Sequence, residues 1–113
     1  MNRAGARAED LCAALLRSAG LRILARNWRC RHGEIDLIAE DAGTLVFAEV
    51  RMRRSAAFGG AAESVTAAKR DRLVAAARLY LAGRREVACR FDVLLLDGTE
   101  GARIEWLRDA FEG

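Results

Sequence analysis

Two apolar runs in this chain, residues 35–39 and 45–50, each carry a carboxylate where a buried strand should have none: Asp36 in the first and Glu49 in the second. An Asp41-Ala42-Gly43 turn separates them, so the stretch from Gly33 to Arg54 reads as a pair of adjacent strands. Period-2 alternation puts Glu34 and Asp36 on one face of the first strand and Ile35 and Leu37 on the other. In the second it groups Glu49 with Leu45, Phe47 and Arg51. An ionised carboxylate within an apolar strand is costly unless a cation or metal compensates it. Two of them on neighbouring strands point to a shared counter-ion, and hence to a site.

Asp36, twelve intervening residues, and then Glu49-Val50-Arg51 resemble the PD-(D/E)xK signature of restriction-endonuclease-like nucleases. Further blocks extend the likeness: GEIDLIA, FAEVRMRRSAAFG, AAESVTAAKRDRL, RFDVLLLDG and the closing IEWLRDAF. Together, from Ala8 to Phe111, they resemble the YraN family of small bacterial proteins, which is assigned to this Holliday-junction-resolvase-like nuclease fold. The resemblance implies that Asp36, Glu49 and the carbonyl of Val50 bind Mg²⁺ or Mn²⁺. It also implies that the cation two places after the glutamate assists the attacking water. This chain has Arg51 where the signature wants lysine. Guanidinium stays protonated, so Arg51 can serve electrostatically but not as a base.

Of the 19 basic residues only Lys69 is a lysine. It lies one turn before Leu73 on the sheet-facing row of a helix, from which its ammonium could reach Asp36 and Glu49; snorkelling to solvent is the competing reading. Lys69 and Arg70 also set positive charge near a helix N-terminus, against the dipole. The net charge of +3 divides into +7 over residues 1–90 and −4 over 91–113. Arg29, Arg31, Arg53 and Arg54 flank the acids and, with Lys69 and Arg70, are the expected nucleic-acid contacts. An arginine-rich composition scattering solvated charge accounts for them equally well. His32, in a polar turn, reads as solvated. Cys12, Cys30 and Cys89 have no zinc spacing and read as reduced thiols.

The elements that must position these residues follow from patterning. A helix over 6–19 has an apolar stripe of Ala8, Leu11, Cys12, Leu15, Leu16 and Ala19, and Gly20 stops it. Glu9 falls at the stripe's margin. It is a first-turn acid complementing the dipole or, as the resembled fold implies, a further metal ligand. A strand over 21–29 offers Ile23, Leu24 and Trp28 to the core, with base stacking a second reading of Trp28. An irregular stretch over 55–65 contains Phe58-Gly59-Gly60, and Thr66 caps a helix over 66–81. A strand over 90–97 is apolar on both faces, apart from Asp92, which either salt-bridges an arginine or lies near the site. A helical crossover makes it parallel to the third strand. A shorter strand over 102–107 and a terminal turn over 109–112 complete the chain. The expectation is a single domain over 1–113, α/β in class: a restriction-endonuclease-like α-β-β-β-α-β core, one mixed sheet flanked by helices, and a short β appendage.

Globular composition (52% apolar, 31% charged) and short apolar runs exclude a disordered or membrane-spanning chain. The first ten residues have no apolar core of a signal peptide, so a cytoplasmic location is expected. Three functions fit: a Mg²⁺-dependent endonuclease acting on DNA, a non-catalytic nucleic-acid-binding module with a degenerate site, or a subunit whose acids form structural salt bridges. Carboxylates facing a polyanion gain a pure binder nothing, which favours the first. By analogy with nucleases of this fold, a homodimer is also allowed.

Overall fold

The computed structural model describes residues 3–53, 65–97 and 103–113. Helix α1 (Arg3–Ser18) begins three residues before the periodicity predicts and ends at Gly20, whose φ of +95° turns the chain. That reversal lets the Leu21 N–H donate to the Leu16 carbonyl at 3.0 Å and buries Leu21. Strands β1 (Arg22–Cys30), β2 (Gly33–Asp41) and β3 (Thr44–Arg53) then form an antiparallel meander. The β2–β3 turn is tight, with Ala42 and Gly43 both at positive φ (+49° and +93°), as a twisted two-residue hairpin requires.

Helix α2 (Ala67–Leu81) follows, its first turn closed by Thr66, whose hydroxyl accepts from the Lys69 N–H at 3.2 Å. It carries the chain back so that β4 (Cys89–Asp97) runs parallel to β3, and β5 (Arg103–Phe111) adds an antiparallel edge. The five strands lie in the order β1-β2-β3-β4-β5. This is the expected α-β-β-β-α-β core with its β appendage.

The helices cover opposite faces. Cys12 and Leu16 of α1 pack on Leu37, Ala39, Val46, Ala48, Leu94 and Leu96. Leu73, Ala76 and Ala77 of α2 pack on Ile35, Ile38, Phe47 and Phe91. Residues 91–96 of β4 are all buried, as befits a strand covered on both sides. Trp28 meets Tyr80 edge to face at 5.4 Å, so it is a packing residue.

Three expectations need correction. Leu24 is 40% exposed because the β1–β2 register slips between Ile23 and Ala25, which throws it out of the core. Simple alternation also fails along β2: Ile35 faces α2 whereas Leu37 faces α1. The same change of face occurs on β1 around Asn27, whose φ of +51° rotates the strand between Arg26 and Trp28. Finally, β5 continues through the expected terminal turn to Phe111, which stacks on Phe91 at 5.1 Å.

Asp92 explains that continuation, because its partners are structural groups. It is fully buried and accepts from Arg90 Nε (3.0 Å), Trp106 Nε1 (2.9 Å) and the Asp109 N–H (2.9 Å), while Arg90 also reaches Asp41 at 2.9 Å. The bond to Asp109, at φ +52°, absorbs the register slip between Phe91 and Val93 and holds β5 in place. Asp92→Ala would leave three donors that converge on a buried carboxylate without their acceptor and is expected to cost about 3–5 kcal/mol. Urea denaturation measures this, and a loss below about 1 kcal/mol contradicts the structural role.

Candidate metal centre

The β2–β3 ladder runs from Asp41↔Thr44 to Leu37↔Ala48 and ends there. Asp36 and Glu49 are the next residues along each strand, at the fork where the two separate. The Val50 N–H, beyond the last rung, donates to Asp36 Oδ2 at 2.9 Å. Through this bond the Val50 amide orients the Asp36 carboxylate. The carboxyls of Asp36 and Glu49 lie close enough for each to act on the other's protonation.

Two more acids converge on Asp36. Glu9 comes from the first half of α1 and Glu34 from the start of β2; one oxygen each of Glu9, Glu34 and Asp36 lie within 4.8 Å of one another. Asn27 lies beside Glu9 and favours its charged form, and Arg26 stands 3.9 Å from it while pairing more closely with Asp10 at 2.7 Å. Arg29 pairs with Glu34 at 3.2 Å. A cavity of about 170 Å³ opens beside the acids, lined by His32, Gly33, Glu34, Glu49, Lys69, Arg72 and Leu73.

Burial and mutual repulsion set the electrostatics. Burial first, then the Glu49 charge, pushes Asp36 up to about 7, against the opposing pull of the Val50 N–H. Burial also raises Glu49, partly offset by the hydrogen bond from Asp36 and by the charges of Lys69 and Arg51. Glu9 is raised by burial, and the charges of Asp36 and Glu34 add to that shift. Cys12, packed behind these acids, is pushed up to about 12 by burial, so it offers no thiolate.

Of the residues singled out in the sequence, Asp36, Glu49, Glu9 and Lys69 come together. Arg51 acts on Glu49 through its charge, and its Nε is buried without a hydrogen-bond partner among the described residues. Arg31 is exposed. Arg70 is held elsewhere: its Nε donates to the Val65 carbonyl at 3.2 Å and its guanidinium lies 5.5 Å from the centre of the Phe111 ring. Arg53 stands opposite Asp97 at the end of β3. Arg54 and the Phe58-Gly59-Gly60 loop lie outside the described residues. His32 lines the cavity rather than standing free in solvent. Glu34, Asn27 and Arg72 were not singled out as site residues. The available signals were Glu34 two places before Asp36, and Arg72 three places after Lys69 on the same helix row.

The fold and the site define a small mixed-sheet α/β protein with a carboxylate cluster and a basic wall at the fork of its meander. Residues 8–96 match the model of the Uncharacterised protein family UPF0102, and the chain belongs to that family, the one that the sequence blocks indicate. It is 60% identical to a UPF0102 protein of Ralstonia nicotianae, over 95% of this chain and 85% of that one. It is 52% identical to one of Nitrosomonas europaea, over 96% and 92%. Against one from Pseudomonas aeruginosa the identity is 46%, over 96% and 91%. No described helix is long and apolar enough to cross a membrane.

The raised Asp36 carboxyl has a signed consequence. Between 3.8 and about 7 the folded protein keeps a proton that the unfolded chain has released. Stability in metal-free buffer therefore falls as pH rises through that window, by about 1.4 kcal/mol per pH unit for one proton. Asp36→Asn is expected to flatten the slope. Denaturation curves across the window measure it, and an equal slope in both proteins removes the assignment.

Proposed function

We propose that this protein is a divalent-metal-dependent phosphodiester hydrolase acting on nucleic acid, with DNA the expected substrate. The observation that carries the reading is the convergence of Glu9, Glu34 and Asp36, with Glu49 beside Asp36 and the Asp36 carboxyl raised by burial and by the Glu49 charge. Half-buried acids so arranged cost stability and offer only hard oxygen donors. That donor set suits Mg²⁺ or Mn²⁺. The +7 balance of residues 1–90 supports a polyanionic substrate.

Asp36, Glu9 and Glu34 are the residues that would hold the ion, with Glu49 and the Val50 carbonyl as further oxygen donors. When bound, such an ion supplies an activated water and offsets charge developing on the scissile phosphate. The Val50 N–H keeps the Asp36 carboxylate oriented. Because burial and the Glu49 charge raise the Asp36 carboxyl, an ion bound there would compete with its proton, and ion affinity is expected to rise with pH. Lys69, which lines the same cavity as Glu34 and Glu49, supplies an ammonium for a phosphoryl oxygen, which Arg51 two places after Glu49 cannot match in geometry. Arg51 contributes fixed positive charge and no proton transfer.

Arg51 also favours a second reading, a binding module on the same fold without hydrolysis. One experiment separates the two. Mg²⁺ or Mn²⁺ at millimolar concentration is expected to raise the melting temperature through selective binding to the folded state, and to support cleavage of DNA. Asp36→Asn should abolish both effects. Lys69→Arg should cut cleavage roughly 100-fold, the scale of one lost electrostatic donor, with folding intact; Arg51→Lys should preserve or raise it. A metal-dependent shift with DNA binding but no cleavage selects the binding module. No shift at all leaves the acids as structural groups.

A further inference from the structure

The cavity beside the carboxylates is lined by unlike groups: the acids Glu34 and Glu49, and the basic side chains His32, Lys69 and Arg72. Several other arginines of the described residues have a partner within the fold. Arg22, Arg26, Arg29 and Arg90 pair with acids, and Arg70, Arg84 and Arg108 lie over aromatic rings. Arg72 has neither kind of partner among the described residues, and His32 has no hydrogen bond there. Both nevertheless border the same small space.

Helix stability does not account for this arrangement. The first turn of α2 contains no acid, and it sets Lys69 at the positive end of the dipole with Arg72 one turn on. Residues three apart share one side of a helix, so both cations are presented together toward the turn that carries His32. At about 170 Å³ the cavity is smaller than sites that take a whole nucleoside-sized ligand. It suits one tetrahedral anion. Two unpaired donors joined by an ammonium match phosphate oxygens, which accept from several directions.

We propose that His32, Arg72 and Lys69 form a phosphate subsite that takes one backbone phosphate of a nucleic-acid strand, adjoining the phosphate at the carboxylates. The inference rests on the hydrolase reading for its neighbour, but its chemistry is that of binding. His32 and Arg72 fix the register of the strand, and Lys69 stands between the two phosphates.

The test uses a short fluorescent DNA duplex in EDTA, read by anisotropy across a salt series. Arg72→Gln and His32→Asn are each expected to weaken binding about threefold to tenfold. Arg72→Gln should also lower the salt slope by about one. Arg72→Lys should restore most of the affinity, which a packing role would not. Arg17→Gln, on the last turn of α1, should leave binding unchanged, and melting curves identify any variant that fails to fold. Inorganic phosphate at millimolar concentration should compete poorly; efficient competition makes the cavity a free-phosphate site and overturns the strand assignment. Unchanged duplex affinity in folded Arg72→Gln and His32→Asn overturns the subsite. The Mn²⁺-induced melting shift should persist in both variants. Its absence from the wild type defeats the hydrolase reading without altering the duplex result.

Discussion

The rest of the site depends on one hydrogen bond, from the Val50 N–H to the Asp36 carboxylate. A strand amide just past the last rung of a ladder must find an acceptor, and here a side chain supplies it. That substitution fixes Asp36 at the fork between β2 and β3, within hydrogen-bonding reach of Glu49. It also brings Asp36 beside Glu9 and Glu34, so the end of the sheet becomes a centre of charge. The left-handed Asn27 on the neighbouring strand cooperates: it turns β1 at the level of Asp36, and its side chain favours the charged form of Glu9.

Two buried carboxylates illustrate how surroundings assign a role. Asp92 is fully enclosed, yet its oxygens meet a guanidinium, an indole N–H and a backbone N–H. Its charge is satisfied, and it ties β4 to β5. Asp36 is enclosed less completely but faces acids, with a single backbone N–H to oppose them. The first arrangement is closed and structural. The second leaves negative charge uncompensated, which is the condition under which a protein gains most from an added cation.

The cations around the centre are graded in the same way. Arg29 and Arg26 tie down Glu34 and Glu9 from the solvent side. Lys69 and Arg51 temper Glu49 from the α2 side. Arg72 and His32 border the same cavity without an acid partner among the described residues. The +7 excess over residues 1–90 is thus partly spent on internal pairing, and bulk charge alone overstates the cationic surface on offer.

The sequence by itself determined the order of elements, the Thr66 cap, the Ala42-Gly43 turn, the parallel placement of β4 and the anomaly of Asp36 and Glu49. Those are local signals: periodicity, capping chemistry and a charge inside an apolar run can all be read within about a dozen residues. Only the tertiary structure decided which other groups meet those two acids. Counting by twos assumes an unbroken strand, and the left-handed Asn27 together with the early end of the β2–β3 ladder breaks that assumption where the site lies. Glu9 could be read as a dipole acid until α1 was docked, and Arg70 as a partner of Lys69 until Phe111 and Val65 claimed it. Asp92 had two readings until Trp106 and Asp109 closed around it. Each of these outcomes turns on distances between residues far apart in the chain, which are set by packing of helices on a sheet and have no local signature.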